Sequence, residues 1–122
     1  MQRIEVTRNG ITVTSVTEPM LSAFGKEMRP ATTAVDELAW EDILRVSLSA
    51  GEFAPADPRL ALLTVDTTWG EFLEVTADAQ GFTSALRELC ARSGIAVPDL
   101  RTLTATGVEI WRIPDAPSGI DL

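Results

Sequence analysis

Only one stretch of this chain keeps a helical period. Within Ala79–Ser93, residues Phe82, Leu86, Leu89 and Cys90 fall at i, i+4, i+7 and i+8, a single apolar stripe. Asp78 can cap its start, and Gly94 follows as a terminator. Elsewhere apolar residues alternate with polar ones or run in short blocks bounded by Gly, Pro and Asn, which is the pattern of strands. Such a chain is neither a helix bundle nor an alternating α/β protein. It predicts an α+β fold: a mainly antiparallel bent sheet or open barrel of about six to seven strands, closed by one amphipathic C-terminal helix.

The elements can be placed along the chain. Ile4 and Val6, then Ile11 and Val13, alternate around Asn9-Gly10, a hairpin signal, so Gln2–Arg8 and Gly10–Thr17 read as paired strands. Glu18–Thr33 carries Pro19, Gly25 and Pro30 and reads as a loop with a turn of helix around Met20, Leu21, Phe24 and Met28. Val35–Trp40 and Ile43–Ala50 read as two strands, or one kinked at Glu41-Asp42. In the second, Leu44, Val46 and Leu48 should share one face, and Ile43, Arg45 and Ser47 the other. Gly51–Pro58 is a loop, Leu60–Val65 a central strand, Asp66–Gly70 a turn, Glu71–Thr76 a strand and Thr106–Ile113 the last strand. The 122 residues fit one domain over 1–113, with 114–122 as a loose tail.

The chemistry is bounded by what is missing. There is no His, and Cys90 is the single cysteine. Ser-His-Asp and Cys-His catalysis, His or thiolate metal sites and an intramolecular disulfide are thereby excluded within one chain. Lys26 is the one lysine, and it stands in a polar stretch as a solvated side chain. The formal charge is −8, and the nine arginines are scattered. Neither nucleic acid nor an anionic membrane suits such a surface. No apolar run approaches a membrane span, and the opening residues lack a signal-peptide core. Cytoplasm is the expected location, and the Arg and Ala usage suggests a bacterial genome.

Leu38-Ala39-Trp40-Glu41-Asp42-Ile43-Leu44-Arg45-Val46 resembles a Trp-acid-Asp-Ile-x-Arg-Val run shared by small uncharacterised bacterial proteins. Phe53…Asp57, Gly81-Phe82…Leu86…Leu89 and Trp111-Arg112 are similar to the later parts of that pattern, so the likeness spans about Val35 to Ile113. The loop after Ala50 departs from it, as does Arg92-Ser93-Gly94, where the family has Leu-Pro-Gly. The Trp-x-Asp-Ile element also resembles strand starts in pleckstrin-homology-like domains. The resemblance implies a pleckstrin-homology-like fold and supplies no activity.

No carboxylate pair converges in the pattern. Glu71 and Glu74 lie three apart and point to opposite faces of a strand. Asp66 and Glu71 flank a turn but lack the order of a calcium loop. Gly25-Lys26 has neither the preceding Gly nor the following Ser or Thr of a phosphate loop. Trp40 and Trp111 belong to strand patterns as core or rim. Trp69, in Thr67-Thr68-Trp69-Gly70, either folds back onto the sheet or meets a partner. The expectation is a non-enzymatic acidic protein-binding domain, immunity-like or regulatory. It has no cofactor, metal or catalytic residue, and its contact residues are Trp69, Glu71, Asp66 and Glu41. Its partner is a basic protein, and a second copy can pair through an exposed strand edge. The alternative is a small-ligand-binding or carboxylate-based hydrolytic domain. Its pocket would lie between the sheet and Met20–Met28 and use carboxylates such as Glu27, Asp42 or Asp66.

Overall fold

The computed structural model describes residues 1–17, 20–50, 61–104 and 106–114. Strand β1 (Gln2–Thr7) runs antiparallel to β2 (Gly10–Thr17), with Ile4 opposite Val13 and Val6 opposite Ile11, as the alternation requires. The turn has a different basis from the one expected. Arg8 and Asn9 form it, and Asn9 has no positive φ. Thr7 Oγ1 accepts the Asn9 N–H at 3.1 Å. Gly10 is already the first residue of β2, at φ 149°, and a Cβ there would run into the Leu38 carbonyl. Close approach of the neighbouring strand, not the turn, demands glycine.

That neighbour is β5 (Thr32–Ala39), which returns along β2 from Thr17↔Thr32 to Gly10↔Ala39. Between them, β3 (Met20–Leu21) pairs with β4 (Glu27–Arg29). The turn of helix expected here is absent. Met20 opposite Arg29 continues the frame of Thr17 opposite Thr32, so the two ladders form one long hairpin. A single helical turn has an unfavourable nucleus, whereas these residues extend a register already set.

A 3₁₀ turn at Trp40–Asp42 carries the chain into β6 (Ile43–Ser49). With β7 (Leu62–Thr67), β8 (Phe72–Thr76) and β9 (Val108–Arg112) it forms an antiparallel sheet in the order β8-β7-β6-β9. The architecture is α+β, with seven strands in two principal antiparallel sheets, β1-β2-β5 and β8-β7-β6-β9, plus the β3–β4 ribbon. The loop expected at 51–58 and the tail expected at 114–122 lie outside the described residues, apart from Pro114.

In the four-stranded sheet strict alternation fails at two bulges. Pairing of β6 with β7 shifts between Ile43 and Arg45, leaving Leu44 as the extra residue. Leu44 is therefore exposed, and Ile43, expected on the opposite face, joins Val46 and Leu48 in the core. Pairing of β6 with β9 shifts between Val46 and Ser47, so Ile110 and Trp111 are buried side by side instead of facing opposite ways.

Helix α1 spans Phe82–Ser93, three residues later than expected at its start. Asp78 does not cap it; its carboxylate accepts from Thr76 Oγ1 instead. Gln80 spends its backbone on β1: its N–H donates to the Gln2 carbonyl and its carbonyl accepts the Ile4 N–H, both at 2.9 Å. Gly81 then starts the helix at φ 84°, where a Cβ would strike the Ile4 carbonyl. The predicted stripe holds: Phe82, Leu86, Leu89 and Cys90 are buried, with Ala85. Gly94 ends the helix as expected, its N–H donating to the Ala91 carbonyl and the Ile95 N–H to that of Cys90.

The stripe packs into one core with Ile4, Ile11 and Val13 of the first sheet and Val46, Leu63, Val65 and Ile110 of the second. The sheets meet at the Trp40–Asp42 corner. They are also stitched by Gln2, whose side-chain amide donates to the Glu74 carbonyl at 3.0 Å and accepts the Thr76 N–H at 3.4 Å. At the corner the Trp40 indole N–H donates to the Arg8 carbonyl at 3.1 Å. Its ring lies 5.1 Å from that of Trp111, and the Arg92 guanidinium sits 4.5 Å above it. Arg92 also donates to the Thr7 carbonyl at 3.2 Å and pairs with Glu88. Trp40 and Trp111 are thus rim and core, and they tie hairpin, corner, helix and last strand together.

Candidate functional site

The β7–β8 turn is built around Thr67, the one buried polar residue among the described residues. Its backbone N–H donates to the Glu71 carbonyl at 2.8 Å, and its hydroxyl donates to the same oxygen at 2.9 Å while accepting the Glu71 N–H at 3.1 Å. The next residue anchors the turn to the corner, with Thr68 N–H donating to the Asp42 carbonyl at 3.0 Å. Every bond holds the backbone and none draws in the indole, so Trp69 stands out with 54% of its surface exposed. Trp69 is thus about half covered and is not part of the core.

Three of the four sequence-predicted contact residues, Asp66, Trp69 and Glu71, lie at this turn, and the anchor brings the corner that carries the fourth, Glu41, beside it. Asp66 ends the ladder below Trp69, Glu71 follows the turn, and Glu41 lies exposed on the 3₁₀ corner next to Asp42. They are not equivalent. Asp66 is held by Arg45, Nε to Oδ2 at 2.9 Å, and its side chain is only 25% exposed. Glu71 and Glu41 are exposed and make no ion pair among the described residues. Two apolar neighbours escaped the sequence reading. Phe72 lies directly opposite Asp66 on the outer face and is 58% exposed. Leu44 is turned outward by its bulge. The alternation of Phe72 and Glu74 against Leu73 and Val75 already carried the signal for Phe72. Nothing in the sequence marked the bulge.

The outer row Phe72–Asp66–Arg45–Arg112 crosses all four strands. Arg112 closes it by gripping Glu109 through two hydrogen bonds, at 2.7 and 2.9 Å, and these hold the Glu109 carboxyl below the usual carboxylate range. Asp99, accepting the Arg101 N–H at the start of a 3₁₀ turn, is lowered by that bond. Burial pushes the Cys90 thiol up, which suits an inert core residue.

Of the carboxylates named for the alternative reading, Asp42 lies on the corner, Asp66 is engaged by Arg45, and Glu27 belongs to the ribbon. Among the described residues no group of three His, Cys, Asp or Glu side chains could hold a metal ion. No helix there is long and apolar enough to cross a membrane. Compared with known proteins, the chain matches no family model, and no curated protein or solved structure is significantly similar to it.

Proposed function

We propose that this chain is a non-enzymatic protein-binding domain, immunity-like or regulatory, whose contact surface is the β7–β8 turn. Trp69 carries the reading: a half-exposed indole on a turn that Thr67 and Asp42 lock in place. A turn whose backbone is already held needs little ordering on docking, and Trp is among the residue types enriched in binding hot spots. Phe72 widens the apolar centre, while Glu71 and Glu41 supply a negative rim. With a net charge of −8 the chain favours a basic protein.

In plan the fold supports the pleckstrin-homology-like expectation: two antiparallel sheets around one core, with a helix closing it. It departs in β9, which follows the helix and pairs with β6. The Trp-x-Asp-Ile element is the corner itself, Trp40–Asp42 followed by buried Ile43. We read cytoplasm as its location.

The test is capture from the native host on immobilised wild-type and Trp69→Ala chains, then titration of the purified captured protein. A basic protein should bind at least about tenfold more weakly to Trp69→Ala and lose affinity as salt rises. Retention of nothing, or equal affinity for both chains, overturns the proposal.

A further inference from the structure

The long hairpin ends in a tip with no cover. Leu21 is 58% exposed and Phe24 97%, and Ala23, Gly25 and Lys26 are exposed as well. It is a built turn all the same. The Ser22 N–H donates to the Lys26 carbonyl at 2.7 Å, and Ser22 Oγ accepts from the Phe24 and Lys26 N–H groups at 3.3 and 3.1 Å. A bare phenylalanine leaves a large apolar ring in water. Lys26, the one lysine of an acidic chain, stands two residues away.

At the base of the same hairpin lies an open depression of about 460 Å³, lined by Thr7, Gly10, Thr12, Glu37, Ala39 and Asp42 among others. The register row Thr7–Gly10–Ala39 forms part of its wall. Glu37 and Asp42 stand at its rim and make no ion pair among the described residues. Tip and depression are complementary: an aromatic ring and an ammonium on one, a dent with carboxylates on the other. Within one molecule they cannot meet, because the paired ladder from Gly10↔Ala39 to Thr17↔Thr32 holds them at opposite ends. A second copy offers the match twice over.

We propose that two copies of this chain exchange these arms: the Phe24–Lys26 tip of each seats in the Gly10 depression of the other, with Lys26 against Glu37 and Asp42. Reciprocal exchange closes on a two-fold axis and stops at a dimer. The contact meets the Trp69 surface only at the Asp42 corner, and the positions varied below, Phe24, Lys26 and Glu37, lie outside that surface, so either proposal can fail without the other.

Sedimentation equilibrium on the full chain tests it, from roughly 5 to 500 µM at about physiological salt, which screens the repulsion between two chains of charge −8. Wild type should pass from monomer to dimer mass. Phe24→Asp, Lys26→Glu and Glu37→Lys should each raise the midpoint at least about tenfold, and Lys26→Glu combined with Glu37→Lys should bring it back to within about threefold of wild type. All three positions are exposed, so far-UV circular dichroism should show unchanged folds. A monomer throughout the range, masses running beyond the dimer, or a dimer indifferent to Phe24→Asp each overturn the proposal.

Discussion

Thr67 shows how much one side chain can decide. Its hydroxyl both donates and accepts inside the β7–β8 turn, so its loss unlocks the platform under Trp69. Thr67→Val should cost about 1 kcal/mol in urea unfolding, because the part-buried Glu71 N–H loses its acceptor. Trp69→Ala, at an exposed site, should leave stability within about 0.5 kcal/mol of wild type. Cys90 behaves in the opposite way to a reactive thiol. It is 1% exposed and its thiol is pushed up by burial. Its reaction with Ellman's reagent at pH 8 should be negligible in the folded protein and complete in denaturant. Fast labelling of the native chain would mean that the helix does not cover it.

At the scale of elements, the bulges correct the strand alternation. A regular β6 would put Leu44 in the core beside Val46; the shifted ladder puts it in solvent. Leu44→Lys should therefore change stability by less than about 0.5 kcal/mol, whereas Val46→Ala should lose about 2 kcal/mol from lost burial and an unfilled cavity. Equal losses would show that the strand is regular. Gly81→Ala should lose several kcal/mol, since the left-handed backbone and the Ile4 carbonyl both oppose a Cβ. Thermal unfolding measures it. The hairpin, the central strand β7 and the helix stripe were legible because short-range periodicity encodes them. The β3–β4 ribbon was not, because its pairing is inherited from the β2–β5 ladder rather than written in its own residues.

For the whole molecule the acidic balance acts through a few engaged carboxylates. Glu109 and Asp99 both have lowered pKa values in the fold. Their stabilisation is present above the unfolded carboxylate range near 4 and is lost as pH falls through the lower folded values. Glu109→Gln should therefore lower stability slightly at pH 7 and converge with wild type at the acid end of a pH series. Exposure limits the difference to less than about 0.5 kcal/mol. A gap that widens toward acid would contradict the Arg112–Glu109 grip.

By itself the sequence determined the local terms: the first hairpin, the helix with its buried stripe, the lack of histidine, and an acidic surface with Trp69 in a turn. These follow from nearest-neighbour periodicity and composition, which need no knowledge of distant residues. Only the tertiary structure decided which residues share a place. Thr68 bonded to Asp42 brings Glu41 beside the Trp69 turn, two bulges chose Leu44 for solvent and Ile110 for the core, and one register carried Phe24 to the end of a long arm. The reason is physical. Register and corner geometry arise from strands pairing across long sequence separations, and a single residue of slip reverses every face that follows.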